Sequence, residues 1–125
     1  MGEKNIALVT GALGYIGRAI VAGLIEDGFS IVLVDLDQER LDEFNKSLPS
    51  GRALSICCNV SDSNAVESAV ERVRNIWGTV NVLVNNAGIL SNHKAVETSP
   101  EEWKKIHSVN LDGAFYFSRA VMNDM

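Results

Sequence analysis

The chain has 125 residues, 46% of them hydrophobic, and a formal net charge of −5 at pH 7. This length allows one domain at most, with a modest core, and no apolar run is long enough to span a membrane. The negative charge and a pI near 4.9 argue against a surface for nucleic acid or for anionic membranes.

The two cysteines, Cys57 and Cys58, are adjacent within an apolar run. Their spacing fits neither a zinc site nor a redox Cys-x-x-Cys pair, so we expect small buried residues in a reducing compartment. Glu3 and Lys4 lead directly into a strand-like run, which is not the pattern of a secretory signal. These features together predict a cytoplasmic protein.

The first predicted elements are a strand at 6–9, a glycine turn at 10–17 with the sequence TGALGYIG, and a helix running to about Asp27. A strand that delivers the chain to a helix N-terminus makes a site for phosphate. Gly11 permits the tight turn, Gly14 lets the backbone approach a pyrophosphate, and Gly17 lets the helix pack close to the strand.

The rest of the chain repeats the strand and helix alternation. Further strands are predicted at 31–34, 53–58 and 80–84, with a helix after each, and the last helix starts at a capping box, Ser99 to Glu102, and runs nearly to Met125. Continuous apolar strands indicate a parallel sheet covered on both faces. The predicted fold is α/β, a Rossmann-like doubly wound sheet in three layers, incomplete, with four strands in the order 3-2-1-4.

In this order the turn at 10–17 and the NNAG segment at 85–88 flank one crevice at the switch point of the sheet. Asp35 ends the second strand, 18 residues after Gly17, where a carboxylate can accept both hydroxyls of an adenosine ribose and would repel a 2′-phosphate. No Arg or Lys lies within the glycine turn or directly after the second strand, and Arg40 is five residues on. We therefore expect NAD rather than NADP; the alternative is that Asp35, together with Asp37, only caps the next helix.

Five stretches together resemble the short-chain dehydrogenase/reductase family, in its order and spacing and over essentially the whole chain. They are TGALGYIG at 10–17, the acidic end of the second strand, NVSD at 59–62, NNAG at 85–88 and WKKIHSVNLDGAF at 103–115. The resemblance implies an NAD(P)-dependent oxidoreductase that interconverts a secondary alcohol and a ketone.

The resemblance also assigns roles residue by residue. The pyrophosphate would be held by Gly11, Gly14, Tyr15, Ile16 and Gly17, the adenosine ribose by Asp35, the adenine by Asn59 and Val60, and the wall near its ribose would be Asn86, Ala87 and Gly88. Asn110 matches the asparagine of the family's catalytic tetrad, which bends its helix and holds a proton-relay water.

Two motifs depart from the main branch of this family. The turn reads TGxxGxxG rather than TGxxxGxG, with Tyr15 at the usual glycine, as in the extended branch of nucleotide-sugar epimerases and dehydratases. Asn59 stands where the family usually has aspartate, and its amide oxygen is expected to pair with the adenine amino group. A fragment of an extended-branch enzyme is therefore an alternative to the main-branch interpretation.

The family's catalytic serine and its Tyr-x-x-x-Lys pair would follow the last helix. The tyrosines of this chain, Tyr15 and Tyr116, each have alanine four residues later. We therefore interpret residues 1–125 as an NAD(P)-binding domain that stops before the catalytic segment and is inactive by itself. A non-catalytic dinucleotide-binding module is the second hypothesis, and the apolar edge of the fourth strand predicts self-association or a homo-oligomer.

The remaining candidates have plainer interpretations. His93 is expected to be a solvated loop histidine, although it could meet a substrate, and His107 lies beside no nucleophile. Trp77 and Trp103 fit helix–sheet packing, and the acidic residues show no metal-ligand pattern.

Overall fold

A computed structural model describes residues 4–125. Its strands are β1 (Ile6–Thr10), β2 (Ser30–Asp35), β3 (Ala53–Cys57) and β4 (Val82–Val84). Its helices are α1 (Tyr15–Glu26), α2 (Gln38–Ser47), α3 (Ser63–Ile76), α4 (Pro100–His107) and α5 (Gly113–Met122). A short 3₁₀ turn lies at Ala95–Glu97, and a π-helical segment at Ser108–Asp112 joins α4 to α5.

The four strands form one parallel sheet in the order β3-β2-β1-β4, which confirms the predicted topology. Thr10 lies opposite Val34, and Val9 lies opposite Val84, so the carboxyl ends of β1, β2 and β4 meet at one edge of the sheet. Because the chain leaves β1 toward β2 on one side and β4 lies on the other, the crevice at this edge is the topological switch point.

Helices cover both faces of the sheet. On one face Ile6, Leu8 and Val32 pack with the apolar sides of α3 and α5, including Phe117 and Val121. The other face is covered by α1 and α2, whose buried residues meet the alternate side chains of the same strands; this second core contains Ala7, Val9, Ile31, Leu33, Val21, Leu41 and Phe44. Burial on both faces explains why the strands read as continuous apolar runs.

The strand β4 is shorter than the predicted range 80–84, because a side chain replaces the start of the ladder. Asn81 Oδ1 accepts a hydrogen bond from the N–H of Ile6 at 2.8 Å, and the N–H of Asn81 donates to the Ile6 carbonyl at 2.9 Å. The Asn81 side chain therefore accepts from the Ile6 N–H, which in a regular ladder would donate to a backbone carbonyl of the neighbouring strand. Val80 remains buried beneath this junction.

The predicted last helix is continuous in space but not regular. It is α-helical to His107, π-helical at Ser108–Asp112 and α-helical again to Met122. A π-helical insertion widens one turn of a helix and is frequent at functional sites. After it, Gly113 contacts Val60, and a Cβ at Gly113 would lie only 2.6 Å from Val60 Cγ2. This close approach brings α5 against the chain that leaves β3.

Two packing predictions from the sequence are wrong. Cys57 is exposed rather than buried, because it is the last residue of β3 and its Sγ reaches the Leu36 carbonyl at 3.3 Å. Trp103 is 61% exposed, because it lies on the outer side of α4 and stacks on His107 at a ring distance of 4.3 Å. In the described part of the chain, no helix has both the length and the apolar character needed to cross a bilayer.

Candidate functional site

A crevice of about 470 Å³ opens at the carboxyl edge of the sheet. Ten of the predicted site residues line it, namely Gly11, Gly14, Tyr15, Ile16, Asp35, Asn59, Val60, Asn86, Ala87 and Gly88. Two predicted residues, Gly17 and Asn110, do not line it; Gly17 is buried and Asn110 is exposed. Segments that are up to 77 residues apart in sequence are therefore gathered around one opening by the sheet order.

The glycine turn brings bare backbone to the mouth of the crevice. Gly11 has φ +64°, in the left-handed region, and a Cβ there would lie 2.9 Å from the Cα of Ala87. Gly14 has φ −74° and is the N-cap of α1, and no side chain caps the first N–H groups of the helix. A Cβ at Gly14 would contact only the Gly11 carbonyl at 3.6 Å. The fold therefore requires Gly11, whereas the open space beside Gly14 suits a ligand.

Gly17 supports this turn from the inside. It is buried in the first turn of α1, and a Cβ there would collide with the carbonyl oxygen of Gly11 and lie 3.0 Å from the Cα of Ala12. Its missing side chain lets the helix start directly over β1. Its role in the described residues is close packing.

Tyr15 replaces the usual glycine without backbone strain. It is the first residue of α1, and no residue other than glycine has a positive φ in the described range 4–125. Tyr15 is 98% exposed and lies at the edge of the crevice. The altered spacing TGxxGxxG therefore keeps the strand–turn–helix geometry.

The carboxylate of Asp35 is fixed at the end of β2. Its Oδ2 accepts from the N–H of Leu13 at 3.0 Å and its Oδ1 from the N–H of Leu36 at 2.8 Å. The bond to Leu13 ties Asp35 to the glycine turn, and Asp37 rather than Asp35 caps α2 by accepting from Arg40 N. The alternative of a helix cap is therefore correct for Asp37 and wrong for Asp35.

Thr10, which we did not include among the predicted site residues, holds the two sides of the crevice together. Its buried hydroxyl oxygen accepts from the N–H groups of Asn86 and Ala87, each at 3.0 Å. The side chain of Asn86 then donates from Nδ2 to the Gly11 carbonyl at 3.1 Å. The signal for Thr10 was its position directly before the first glycine, where a hydroxyl can reach the adjacent strand end.

Asn59 differs from its prediction. Its Oδ1 accepts from both the N–H of Ser61, at 3.0 Å, and the Ser61 hydroxyl, at 2.7 Å. Because both hydrogen bonds occupy this oxygen, it is not free to accept from an adenine amino group as the sequence predicted. The other polar atom of this side chain is the amide Nδ2, which is a donor.

Cys58 lies at the floor of the crevice beside Val60. Burial, with smaller effects from Asp62 and Cys57, raises the pKa of its thiol to about 11. The thiol is therefore neutral at physiological pH and is not an activated nucleophile. In the part of the chain that the structure describes, no group of three or more His, Cys, Asp or Glu side chains is placed to hold a metal ion.

Asn110 lies in the π-helical segment and is joined to the loop after β4. Its Oδ1 accepts from the N–H of Ile89 and its Nδ2 donates to the Ile89 carbonyl, both at 2.8 Å. A Cβ on Gly88 would lie 3.4 Å from the same Oδ1. The side chain thus anchors the crevice wall, and Val109, its neighbour, lines the crevice.

A second contact fixes the same loop to α4. His93 is the exposed loop histidine that the sequence predicts, with its side chain 60% exposed, and it also contacts a carboxylate of α4. His93 Nδ1 lies 3.0 Å from Glu102 Oε2, and the Ser91 hydroxyl donates to Glu102 Oε1 at 2.7 Å. These hydrogen bonds, Ser91 first, lower the pKa of Glu102. Because the carboxylate is used here, only half of the predicted capping box is formed: Ser99 Oγ accepts from the N–H of Glu102.

The sequence matches the family model described as short chain dehydrogenase over residues 5–125. It is 37% identical over 124 residues to the 3-oxoacyl-(acyl-carrier-protein) reductase FabG of Escherichia coli, covering 98% of this chain and 50% of that protein. The chain spans about half the length of the curated relatives that head the comparison, which include a meso-2,3-butanediol dehydrogenase of Serratia marcescens matched over 47% of its length.

Solved structures agree with this match. A glucose/ribitol dehydrogenase of the short-chain dehydrogenase/reductase type from Brucella melitensis superposes with a TM-score of 0.92 at 36% identity, covering 97% of this chain and 52% of that one. A 3-ketoacyl-(acyl-carrier-protein) reductase from the same organism, solved with NADH, gives a TM-score of 0.89 at 30% identity, covering 97% and 50%. Since the family model covers nearly the entire sequence and the fold agrees, the chain belongs to the short-chain dehydrogenase family.

Proposed function

We propose that the crevice binds a nicotinamide dinucleotide, with NAD favoured over NADP, as the cofactor-binding part of an oxidoreductase for secondary alcohols and ketones. The observation that carries the proposal is the pairing of Asp35 with the bare glycine turn. The N–H of Leu13 holds the Asp35 carboxylate at 3.0 Å, so one acidic group and one anion-binding backbone face the same opening. A dinucleotide needs both, because its ribose hydroxyls bind to a carboxylate and its pyrophosphate binds to backbone N–H groups.

The residues present fit such a group. The N–H groups at the start of α1 would bind the pyrophosphate through the positive end of the helix dipole. No side chain fills the space in front of Gly14, where its nearest Cβ contact is 3.6 Å away. Tyr15 and Ile16 flank that space with side chains that are 98% and 70% exposed.

Two sides of the crevice would hold the adenosine part of the ligand. On one side Asp35 would accept the ribose hydroxyls, while Asn59 and Val60 would border the adenine. On the other side the segment from Asn86 to Gly88 would form the wall beside the same ribose. When bound, NAD(P) supplies the hydride donor or acceptor, and the protein supplies orientation and proton transfer.

Asn110 would serve proton transfer indirectly. Its side chain is committed to Ile89 by two bonds of 2.8 Å, so it would position the wall and the backbone of the π-helical segment rather than touch the substrate. The sequence contains no tyrosine followed by lysine at the fourth position. We therefore assign the cofactor-binding part of the chemistry to these residues and leave a non-catalytic dinucleotide-binding module as the second candidate. The free cysteines Cys57 and Cys58 suit a reducing, cytoplasmic setting.

We also propose that the chain self-associates through the outer face of α4, the π-helical segment and α5. Trp103, Leu111 and Phe115 are each more than half exposed on this face. The strand β4 pairs with β1 and with no other strand in the described residues, which leaves an open sheet edge nearby. Exposed apolar side chains and an open edge both favour association between copies.

Calorimetric titration of Gly14→Ala with NAD tests the proposal. The added methyl has room in the protein but projects where the pyrophosphate would approach, so we expect affinity to fall by about tenfold or more. The matched control is Gly23→Ala on α1, where a Cβ meets nothing within 4 Å. Equal NAD affinity in the wild type and Gly14→Ala, with both folded, would overturn the assignment of the turn.

A further inference from the structure

The part of the crevice where the base of a dinucleotide would lie is lined by Leu36, Cys58, Asn59 and Val60, which we call the base end. It adjoins Asp35, whose carbonyl accepts from the N–H of Cys58 at 3.0 Å. The side chains of Leu36, Cys58 and Val60 carry neither oxygen nor nitrogen. The side-chain hydrogen bonding of the base end therefore depends on how the Asn59 amide is oriented.

Two hydrogen bonds from Ser61 fix the orientation of the Asn59 amide. Asn59 Oδ1 lies 3.0 Å from the backbone nitrogen of Ser61 and 2.7 Å from the Ser61 hydroxyl oxygen. Because a backbone N–H can only donate, the atom that it contacts must be the amide oxygen, and the other atom must be Nδ2. Within residues 4–125 no group accepts a hydrogen bond from Asn59 Nδ2. Asn59 therefore offers a ligand a donor.

Val60 adds a second donor to the base end. Val60 is only 7% exposed, and its N–H donates to no backbone or side-chain group in the described part of the chain. A buried N–H without a partner costs free energy, which a ligand acceptor would recover. The carboxylates closest in sequence are engaged elsewhere, since Asp35 accepts from two N–H groups and would hold the ribose, and Asp62 caps α3. The base end thus presents two donors and no free side-chain oxygen.

We infer that the base end favours a 6-oxopurine, such as hypoxanthine, over adenine, and that Asn59 sets this preference. A 6-oxopurine presents two neighbouring acceptors, O6 and N7, whereas adenine presents N7 beside an amino group that donates. Asn59 Nδ2 and the Val60 N–H match the two acceptors, while an adenine amino group would face one donor with another. The inference rests on the proposed function, because the crevice must first bind a dinucleotide.

The test compares NAD with nicotinamide hypoxanthine dinucleotide, which carries an oxygen at C6 of the purine in place of the amino group. Calorimetric titration of the wild type should show that the hypoxanthine dinucleotide binds about threefold to tenfold more tightly than NAD, as expected for one hydrogen bond gained. The two ligands carry the same charge and the same ribose and pyrophosphate groups. The ratio of their affinities therefore reports on the base end alone.

Asn59→Asp tests the residue itself. One carboxylate oxygen can keep the bonds from Ser61, and the other replaces Nδ2, so a donor becomes an acceptor at the same place. NAD should then bind about threefold to tenfold more tightly than the hypoxanthine dinucleotide. The matched control is Asn64→Asp, which adds the same charge at an exposed residue of α3 that does not line the crevice and should keep the wild-type ratio.

The outcomes separate this inference from the proposed function. If the wild type binds NAD as tightly as the hypoxanthine dinucleotide, or more tightly, the base preference is wrong and the proposed function stands. The same ratio of affinities in the wild type and in folded Asn59→Asp would also overturn the inference. Binding of neither dinucleotide by the wild type would overturn both proposals. Because the wild-type comparison needs no substitution, it decides the inference even if Asn59→Asp does not fold.

Discussion

The hydroxyl oxygen of Thr10 accepts a hydrogen bond from the N–H of Asn86 at 3.0 Å, and this bond joins the ends of β1 and β4 across the switch point of the sheet. The same oxygen accepts from Ala87, and the Asn86 side chain reaches back to Gly11. The crevice therefore has a hydrogen-bonded junction at its base, which forms without a ligand.

Replacing Thr10 by valine tests this junction. The side chain is 2% exposed, and valine keeps its shape but leaves the N–H groups of Asn86 and Ala87 without their acceptor. We expect the free energy of unfolding to fall by about 1–3 kcal/mol in urea denaturation. Thr10→Ser retains the hydroxyl and should recover most of the loss; a Thr10→Val variant as stable as the wild type would refute the role.

Gly17→Ala is expected to destabilise the fold, because its Cβ would collide with the Gly11 carbonyl in a rigid turn. Overpacking of this kind costs about 1–3 kcal/mol. Gly23→Ala, on the same helix with open space around it, should instead raise stability by about 0.5–1 kcal/mol. Thermal unfolding of the two variants checks the contrast, and similar shifts in both would show that helix propensity rather than the collision decides.

Asn110→Ala removes both hydrogen bonds between the π-helical segment and Ile89. We expect faster hydrogen exchange at the Ile89 amide and a loss of about 1–3 kcal/mol from two bonds of ordinary strength. Asn92→Ala provides the control, since Asn92 lies in the same loop and is exposed. Unchanged exchange at Ile89 in Asn110→Ala would contradict the anchoring role.

The contact of Glu102 with Ser91 and His93 should depend on pH. Since the hydrogen bonds lower the pKa of Glu102 in the folded state below its ordinary value of 4.5, its stabilising effect is full above that value. The effect is lost as the pH falls through the lowered folded-state pKa. Nuclear magnetic resonance of the Ser91 and His93 amides should show the loop released in this acidic range, and Glu102→Gln should abolish the transition. Glu101→Gln, in the same helical turn, should leave it in place.

Self-association is expected to depend on the face that carries Phe115, which is 56% exposed. Phe115→Glu places a charge on that face and should lower the mass measured by light scattering after size-exclusion chromatography. Val96→Glu, at an apolar residue that is 93% exposed outside this face, is the control. A monomeric wild type at high concentration would contradict the proposal.

The sheet order and the position of Asp35 were predictable because they follow from local patterns. Continuous apolar runs separated by helices permit few topologies, and a carboxylate at the end of β2 must lie at the crevice. The position of the NNAG segment at the crevice was predictable in the same way, because this segment follows the carboxyl end of β4. These predictions needed only the order of elements along the chain.

The remaining features depend on contacts between residues distant in sequence. Asn59 was expected to present its oxygen, but the Ser61 turn takes it. The π-helical segment likewise reflects the pairing of Asn110 with Ile89, 21 residues away, which periodicity in the helix cannot show.

The most direct measurement is a two-dimensional nuclear magnetic resonance titration of the wild-type chain with NAD. Binding in the crevice predicts shift changes concentrated at the amides of Gly11, Gly14, Ile16 and Gly88, with saturation at one equivalent. Smaller changes should reach Leu13, whose N–H is bonded to Asp35. Absence of shifts at millimolar NAD, or shifts confined to residues outside the crevice, would contradict the account.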